Sequence, residues 1–210
     1  MAKKGKFITF EGPEGSGKST HSRLLCDFLR RKGFKVLHTR EPGGTKVSEK
    51  IRKVLLDPKN KDMGVVSEML LYMAARAQIV EERILPALKK GKIVVCDRFA
   101  DATLVYQGYA GGLDVKIIKD TGRLVTKGLS PSITFLLDID AKKGILRSGR
   151  VRDRMERKAL SYHKKVRKGY LTIARKEPRR IKVLSATGAI EETQKEIREI
   201  TLKLVKSVVR

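Results

Sequence analysis

The chain has 210 residues, 40% of them hydrophobic and 34% charged, enough for one core-forming domain spanning 1–210. Its two cysteines, Cys26 and Cys96, are too few for a disulfide framework or a zinc knuckle, and both read as small buried hydrophobes. The formal net charge is +25, yet only 5% of residues are aromatic and there is no Trp, so stacking of single-stranded nucleic acid on interleaved aromatics is not indicated.

No apolar run approaches the ~20 residues of a membrane span, and no partnership with a membrane is expected. The basic start, MAKKGKF, passes straight into an apolar run with no secretory leader between them, so a cytoplasmic protein is expected. The basic residues are spread over nearly every helical segment. That pattern reads as a solvated surface, partly serving nucleotide phosphates, with no specific nucleic-acid partner.

In chain order, Phe7–Phe10 is a strand and 21–32 a helix carrying Leu24, Leu25, Phe28 and Leu29 on one face, closed by Gly33. A second strand covers 35–39. The next helix, 46–56, turns Val47, Ile51, Val54 and Leu55 inward and stops at Asp57-Pro58. A long helical stretch, 65–90, breaks near Pro86. The third strand, 92–97, is continuously apolar through Ile93-Val94-Val95-Cys96, the texture of a strand covered on both faces. Helices at 101–109 and 114–127, strands at 132–138 and 181–185, and a final helix from 190 complete the pattern. Strands alternating with helices predict an α/β fold: a mainly parallel, five-stranded sheet between two helical layers. Ligands in such sheets bind beyond the carboxyl ends of the strands.

The chemistry falls at those ends. After the first strand and before a helix, residues 12–20 read Gly12-Pro13-Glu14-Gly15-Ser16-Gly17-Lys18-Ser19-Thr20. This is G-x-x-x-x-G-K-[ST], a loop whose backbone N–H groups cradle phosphates. Lys18 offers a point charge and Ser19 a hydroxyl for Mg²⁺. After the second strand, Arg40-Glu41-Pro42-Gly43-Gly44-Thr45 is a compact turn, with Glu41-Pro42 a candidate cis bond. Asp97-Arg98 ends the third strand, where the carboxylate can hold Mg²⁺ through water and the guanidinium can clamp an anion. Tyr72 and Arg76 share a helix face at i, i+4. They are either an aromatic plate and guanidinium gripping a flat base or an ordinary core tyrosine beside a snorkelling arginine. The run Arg147, Arg150, Arg152, Arg154 is either a solvated basic loop or, beside a phosphate loop, a lid over roughly 147–157 that neutralises phosphoryl charge.

GPEGSGKST (Gly12–Thr20), REPGGT (Arg40–Thr45), YMAAR (Tyr72–Arg76), DRFADATLVYQG (Asp97–Gly108), DRME (Asp153–Glu156) and VRKGY (Val166–Tyr170) together resemble the thymidylate kinases along essentially the whole chain. The resemblance implies a three-layer P-loop fold, ATP and dTMP as substrates, Mg²⁺ and a homodimer joined through a helical face. It also implies roles. ATP lies on Gly12–Thr20, with its adenine near Ala186. Glu14 approaches the sugar 3′-hydroxyl, Arg98 binds the dTMP phosphate and Asp97 lies near the metal. Tyr72 stacks on thymine, Arg76 reaches a thymine carbonyl, Thr103 and Gln107 border the base, and Arg40 and Pro42 line the substrate side. Glu156 stands close to the phosphates, and the non-basic Gly15-Ser16 marks a member whose catalytic arginine comes from the lid. The resemblance leaves open a shifted base preference among monophosphate kinases, and the charge leaves open a nucleotide-dependent nucleic-acid binder.

Overall fold

The structure is a computed structural model and describes residues 5–149 and 153–206. Those residues form a five-stranded, wholly parallel sheet in the order β2-β3-β1-β4-β5. The strands are β1 Phe7–Glu11, β2 Val36–Arg40, β3 Ile93–Asp97, β4 Ile133–Asp138 and β5 Ile181–Ser185. Successive side chains point to opposite faces of a strand, and the cores follow that alternation. Ile8, Phe10, Ile93, Val95, Phe135 and Leu137 pack beneath Leu25 and Leu29 of α1 (Lys18–Arg31) and Ile197 of α9 (Ile190–Lys206). On the other face, Phe7, Val94 and Cys96 meet Ile79, Val80 and Ile84. Leu136 and Ile181 there meet Val166, Tyr170 and Ile173. The expected three layers are present, and both cysteines are buried and free.

The helical stretch from 65 breaks as α3 (Val65–Ile79), a π-helical turn over Val80–Ile84 and α4 (Leu85–Lys89), with Pro86 in the first turn of α4. Proline has no N–H to give the helical ladder, so the widened turn directly before it relieves the mismatch. The helix at 101–109 is likewise α5 (Ala100–Thr103) continuing as a π-helical segment, Leu104–Ala110. It leads on to α6 (Val115–Thr126). After β4 comes α7 (Ala141–Arg147).

Two sequence expectations need correction. Val47 and Val54 of α2 (Lys46–Leu56) face solvent, while Leu55 alone of the four apolar residues is fully buried. Apolar spacing marks an apolar face but not what covers it. The sequence reading also passed over α8 (Leu160–Lys176), a 17-residue helix that buries His163, Val166, Tyr170 and Ile173. Six Lys and Arg residues interleave with that i, i+3, i+7, i+10 spacing and hide it.

Candidate active site

A cavity of about 390 Å³ opens beyond the carboxyl ends of β1, β2 and β3, within the size range of small-molecule sites. Its lining joins the Glu14–Thr20 loop to Arg40, Pro42, Tyr72, Arg76, Asp97, Arg98, Thr103, Gln107 and Glu156. Nearly every residue singled out from the sequence thus reaches one space. The exceptions are Gly12, Pro13, Ser16, Ala186 and the lid arginines.

The loop passes from β1 into α1 through Gly17, whose φ is 84°, and α1 starts with no side chain capping its first N–H groups. Uncapped N–H groups with the helix dipole behind them form an anion seat. Lys18 Nζ donates to the Pro13 carbonyl at 2.7 Å and to Ser16 Oγ at 3.3 Å. Burial, and then the nearby Arg98 cation, push its pKa down to about 8 against the pull of Glu14, Asp97 and Glu11. Two glycines let the loop sit hard against α7. A methyl group on Gly15, whose φ is +68°, would lie 2.0 Å from the Gly144 carbonyl oxygen; one on Gly144 would lie 2.2 Å from the Glu14 carbonyl oxygen.

Arg98 adopts a left-handed backbone with φ 69°, a strained conformation for a non-glycine residue that aims its side chain across the loop. Its Nη2 donates to both Glu14 carboxylate oxygens at 2.8 Å, and its Nη1 donates to the Gly12 carbonyl and to Tyr170 Oη, each at 3.2 Å. The Tyr106 ring lies 5.0 Å from the guanidinium, and the Tyr106 hydroxyl donates to Glu14 at 2.7 Å. Burial pushes the Glu14 carboxyl up, but Arg98, Lys18 and the Tyr106 hydrogen bond together hold it down at about 2. Beside the loop, Ser19 Oγ donates to Asp97 Oδ2.

At the other end Arg76 is almost wholly enclosed, its Nε on Glu41 Oε2 at 2.7 Å and its Nη2 on the Phe99 carbonyl at 3.0 Å. The Glu41–Pro42 bond is cis, as expected. Among the described residues, the Thr103 hydroxyl is buried with no partner while Thr103 lines the cavity. Arg40 lies at the rim, half exposed, and pairs with Glu49 at 3.0 Å.

Between residues 10 and 197 the chain matches the model of the family described as Thymidylate kinase. The chain belongs to the thymidylate kinase family. A thymidylate kinase of Symbiobacterium thermophilum is 50% identical to it over 195 residues, covering 92% of this chain and 91% of the relative. One from Thermoanaerobacter sp. is 45% identical, covering 95% and 98%. The crystal structure of thymidylate kinase from Ehrlichia chaffeensis superposes with a TM-score of 0.78 at 35% identity, covering 95% of this chain and 99% of that one.

The arginine-rich segment divides. Arg147 Nη1 donates to the Ala186 carbonyl at 2.7 Å, in the loop after β5, and Arg147 does not line the cavity. Arg150 and Arg152 lie outside the described residues. Arg154 is no free lid arginine: its Nη2 meets Glu68 at 2.6 Å and its Nε donates to the Leu55 carbonyl at 2.7 Å. Glu156 lines the cavity, accepts from the Asp153 N–H at 3.2 Å and has its carboxyl pushed up by partial burial. Sequence reasoning missed Glu11, Tyr106 and Tyr170 as site residues. Glu11 had a signal: an acidic residue closing an apolar strand immediately before the glycine-rich loop. Tyr170 closes the VRKGY motif, but that motif carried no role for it, and it arrives from the unassigned α8.

Proposed function

We propose that the cavity holds dTMP with its base among Tyr72, Arg76, Thr103 and Gln107 and its phosphate beside Arg98. There it would face the γ-phosphoryl group of ATP bound on Gly12–Thr20. As a member of its family the chain is an enzyme that phosphorylates dTMP to dTDP, with ATP as co-substrate. The observation that carries the residue assignment is the shared cavity, lined at once by the phosphate loop and by the base-side residues.

Phosphoryl transfer asks the protein for alignment and charge neutralisation rather than covalent chemistry. Lys18 and the N-terminal amides of α1 would hold the donor phosphates. Arg98 is at present paired with Glu14. An incoming dianionic phosphate competes for the same Nη2, and the released Glu14 carboxylate becomes an acceptor for a sugar hydroxyl. The strained backbone of Arg98 keeps its guanidinium aimed at this point before substrate arrives.

Ser19 and Asp97 offer a hydroxyl and a carboxylate oxygen in contact beside the loop. Among the described residues no three His, Cys, Asp or Glu gather as a metal cage. That donor set fits Mg²⁺, which takes one or two protein oxygens and completes its shell with phosphates and water. When bound, Mg²⁺ supplies charge neutralisation at the β- and γ-phosphate oxygens. Glu156, which lines the same cavity, is a weaker candidate for the same ion.

The single domain carries a lid over 147–157 in this reading, with Arg147, Arg150 and Arg152 as the candidate catalytic arginines and Arg147 beginning at the adenine end near Ala186. A second copy of the chain would cover the exposed apolar side chains Val47 and Val54 of α2, Val66 and Leu70 of α3, and Ile117 and Leu124 of α6. These helices pack side by side, so the residues form one apolar face of a homodimer. Among the described residues no helix is long and apolar enough to cross a membrane; a cytoplasmic location is part of the proposal.

A coupled assay over all common nucleoside monophosphates, with ATP and Mg²⁺, tests the reading together with Tyr72→Ala. The expected result is a clear preference for dTMP in the wild type and a raised KM for dTMP, not for ATP, in the variant. A Tyr72→Ala enzyme with unchanged KM for dTMP overturns the base placement.

A further inference from the structure

Glu68 lies in the first turn of α3 with 1% of its surface exposed, beneath the base end of the cavity. Three side chains converge on its carboxylate. Arg154 Nη2 stands at 2.6 Å, Lys158 Nζ at 3.4 Å and Gln107 Nε2 at 2.7 Å. Arg154 is itself fixed, its Nε on the Leu55 carbonyl and its backbone N–H on the Leu56 carbonyl at 3.1 Å. The carboxylate therefore cannot swing away from Gln107 without leaving a guanidinium buried and unpaired.

Gln107 is 1% exposed and lines the cavity. A carboxamide has a donor end and an acceptor end of nearly the same shape, so either could face a ligand. A carboxylate paired with two cations accepts hydrogen bonds and offers none, so only the NH₂ end of Gln107 can face it. We infer that Glu68 is a specificity-determining positioning residue: by holding the amide nitrogen of Gln107 it turns the carbonyl Oε1 to the cavity, where it selects a base with a ring N–H. Thymine and uracil carry N–H at N3, between two carbonyls; cytosine carries a bare N3 lone pair there. An acceptor facing an acceptor leaves two buried polar atoms unpaired, which discriminates more strongly than a missing contact. The inference rests on the proposed placement of the base beside Gln107.

The test compares kcat/KM for dTMP, dCMP and dUMP in the wild type, Glu68→Gln, Glu68→Asp and Gln107→Leu, with the fold of each checked by circular dichroism. In Glu68→Gln the new amide both donates and accepts, so Gln107 is free to turn over. Glu68→Asp keeps the charge that Arg154 needs but withdraws the oxygens from Gln107, and it carries the test should Glu68→Gln fail to fold. Either Glu68 variant is expected to lower the dTMP-to-dCMP ratio by roughly tenfold, the worth of one neutral hydrogen bond. The dTMP-to-dUMP ratio and the KM for ATP stay as in the wild type, which a merely structural loss would not spare. If Gln107→Leu collapses the dTMP-to-dCMP ratio and folded Glu68 variants retain it, the role of Glu68 is overturned while the base placement stands. If Gln107→Leu itself leaves that ratio unchanged, the base does not lie beside Gln107 and the underlying reading fails.

Discussion

Glu11 closes β1 with 1% of its surface exposed. Its Oε1 accepts the Phe99 N–H and its Oε2 the Tyr170 hydroxyl, each at 2.7 Å. Burial first, and then the negative charge of Asp101, push its carboxyl from 4.5 up to about 8, although Arg98 and both hydrogen bonds pull the other way. The native chain therefore holds a proton that the unfolded chain has released over this window. Stability is fully present below the unfolded value, falls as pH rises towards the native value and is level beyond it. At about 1.4 kcal/mol per pH unit the span sets a ceiling on the order of 5 kcal/mol. Glu11→Gln keeps a carbonyl for the Phe99 N–H and cannot ionise. Urea unfolding of both proteins at about pH 5, 7 and 9 isolates the effect as a difference, because every other titrating group is common to the two. The variant is expected to gain on the wild type by a few kcal/mol across the series. Stability differences that stay parallel at all three pH values would refute a buried proton on Glu11.

Lys18→Ala and Arg98→Ala should each lower kcat by about 10³-fold or more while the far-ultraviolet spectrum is kept; a steady-state rate within tenfold of wild type would remove the residue from the charge-stabilising role. Gly15→Ala meets both a positive φ and a backbone oxygen at 2.0 Å, whereas Gly33→Ala, at φ +84°, meets nothing within 4 Å. The second is expected to cost about 1 kcal/mol and the first at least ~3 kcal/mol with a weaker ATP site, read from thermal unfolding and the KM for ATP. Equal costs would mean that the contact with α7 is slack. Val54→Asp combined with Leu70→Asp should convert a dimer to a monomer in sedimentation velocity, and an unchanged sedimentation coefficient would rule out the α2–α3–α6 face.

The sheet was legible because its strands obey simple patterns, with Ile93-Val94-Val95-Cys96 apolar on both faces and the carboxyl ends of β1, β3 and β4 closed by Glu11, Asp97 and Asp138. The phosphate loop was legible because its chemistry is local: nine consecutive residues carry both the ligand and the turn. What escaped was non-local or disguised. Glu68 and Arg154 are residue types that usually face water, and only the folded chain brings them together beneath the cavity. Val47 and Val54 sit at helical spacing with apolar side chains, the same signal a core face gives. In α8, seven Lys, Arg and His residues among 17 outweigh the buried stripe. The resemblance to a family supplied residue roles that periodicity alone left undecided, Tyr72 and Arg76 above all.

The contact between Gly15 and Gly144 bears on how such an enzyme can change over generations. A basic residue inside the phosphate loop is one way to bring cationic charge to the transferred group. Here that route is closed at position 15 by a backbone oxygen, and its neighbour Ser16 is 2% exposed with its hydroxyl on Lys18. If the catalytic cation comes from the arginine segment, as proposed, a lineage moving it into the loop would first have to lift α7 away. That intermediate has lost the old contact and gained no new charge. On the proposed reading that the catalytic arginines come from beyond α7, the pair of glycines works as a ratchet that keeps the descendants of this chain dependent on them.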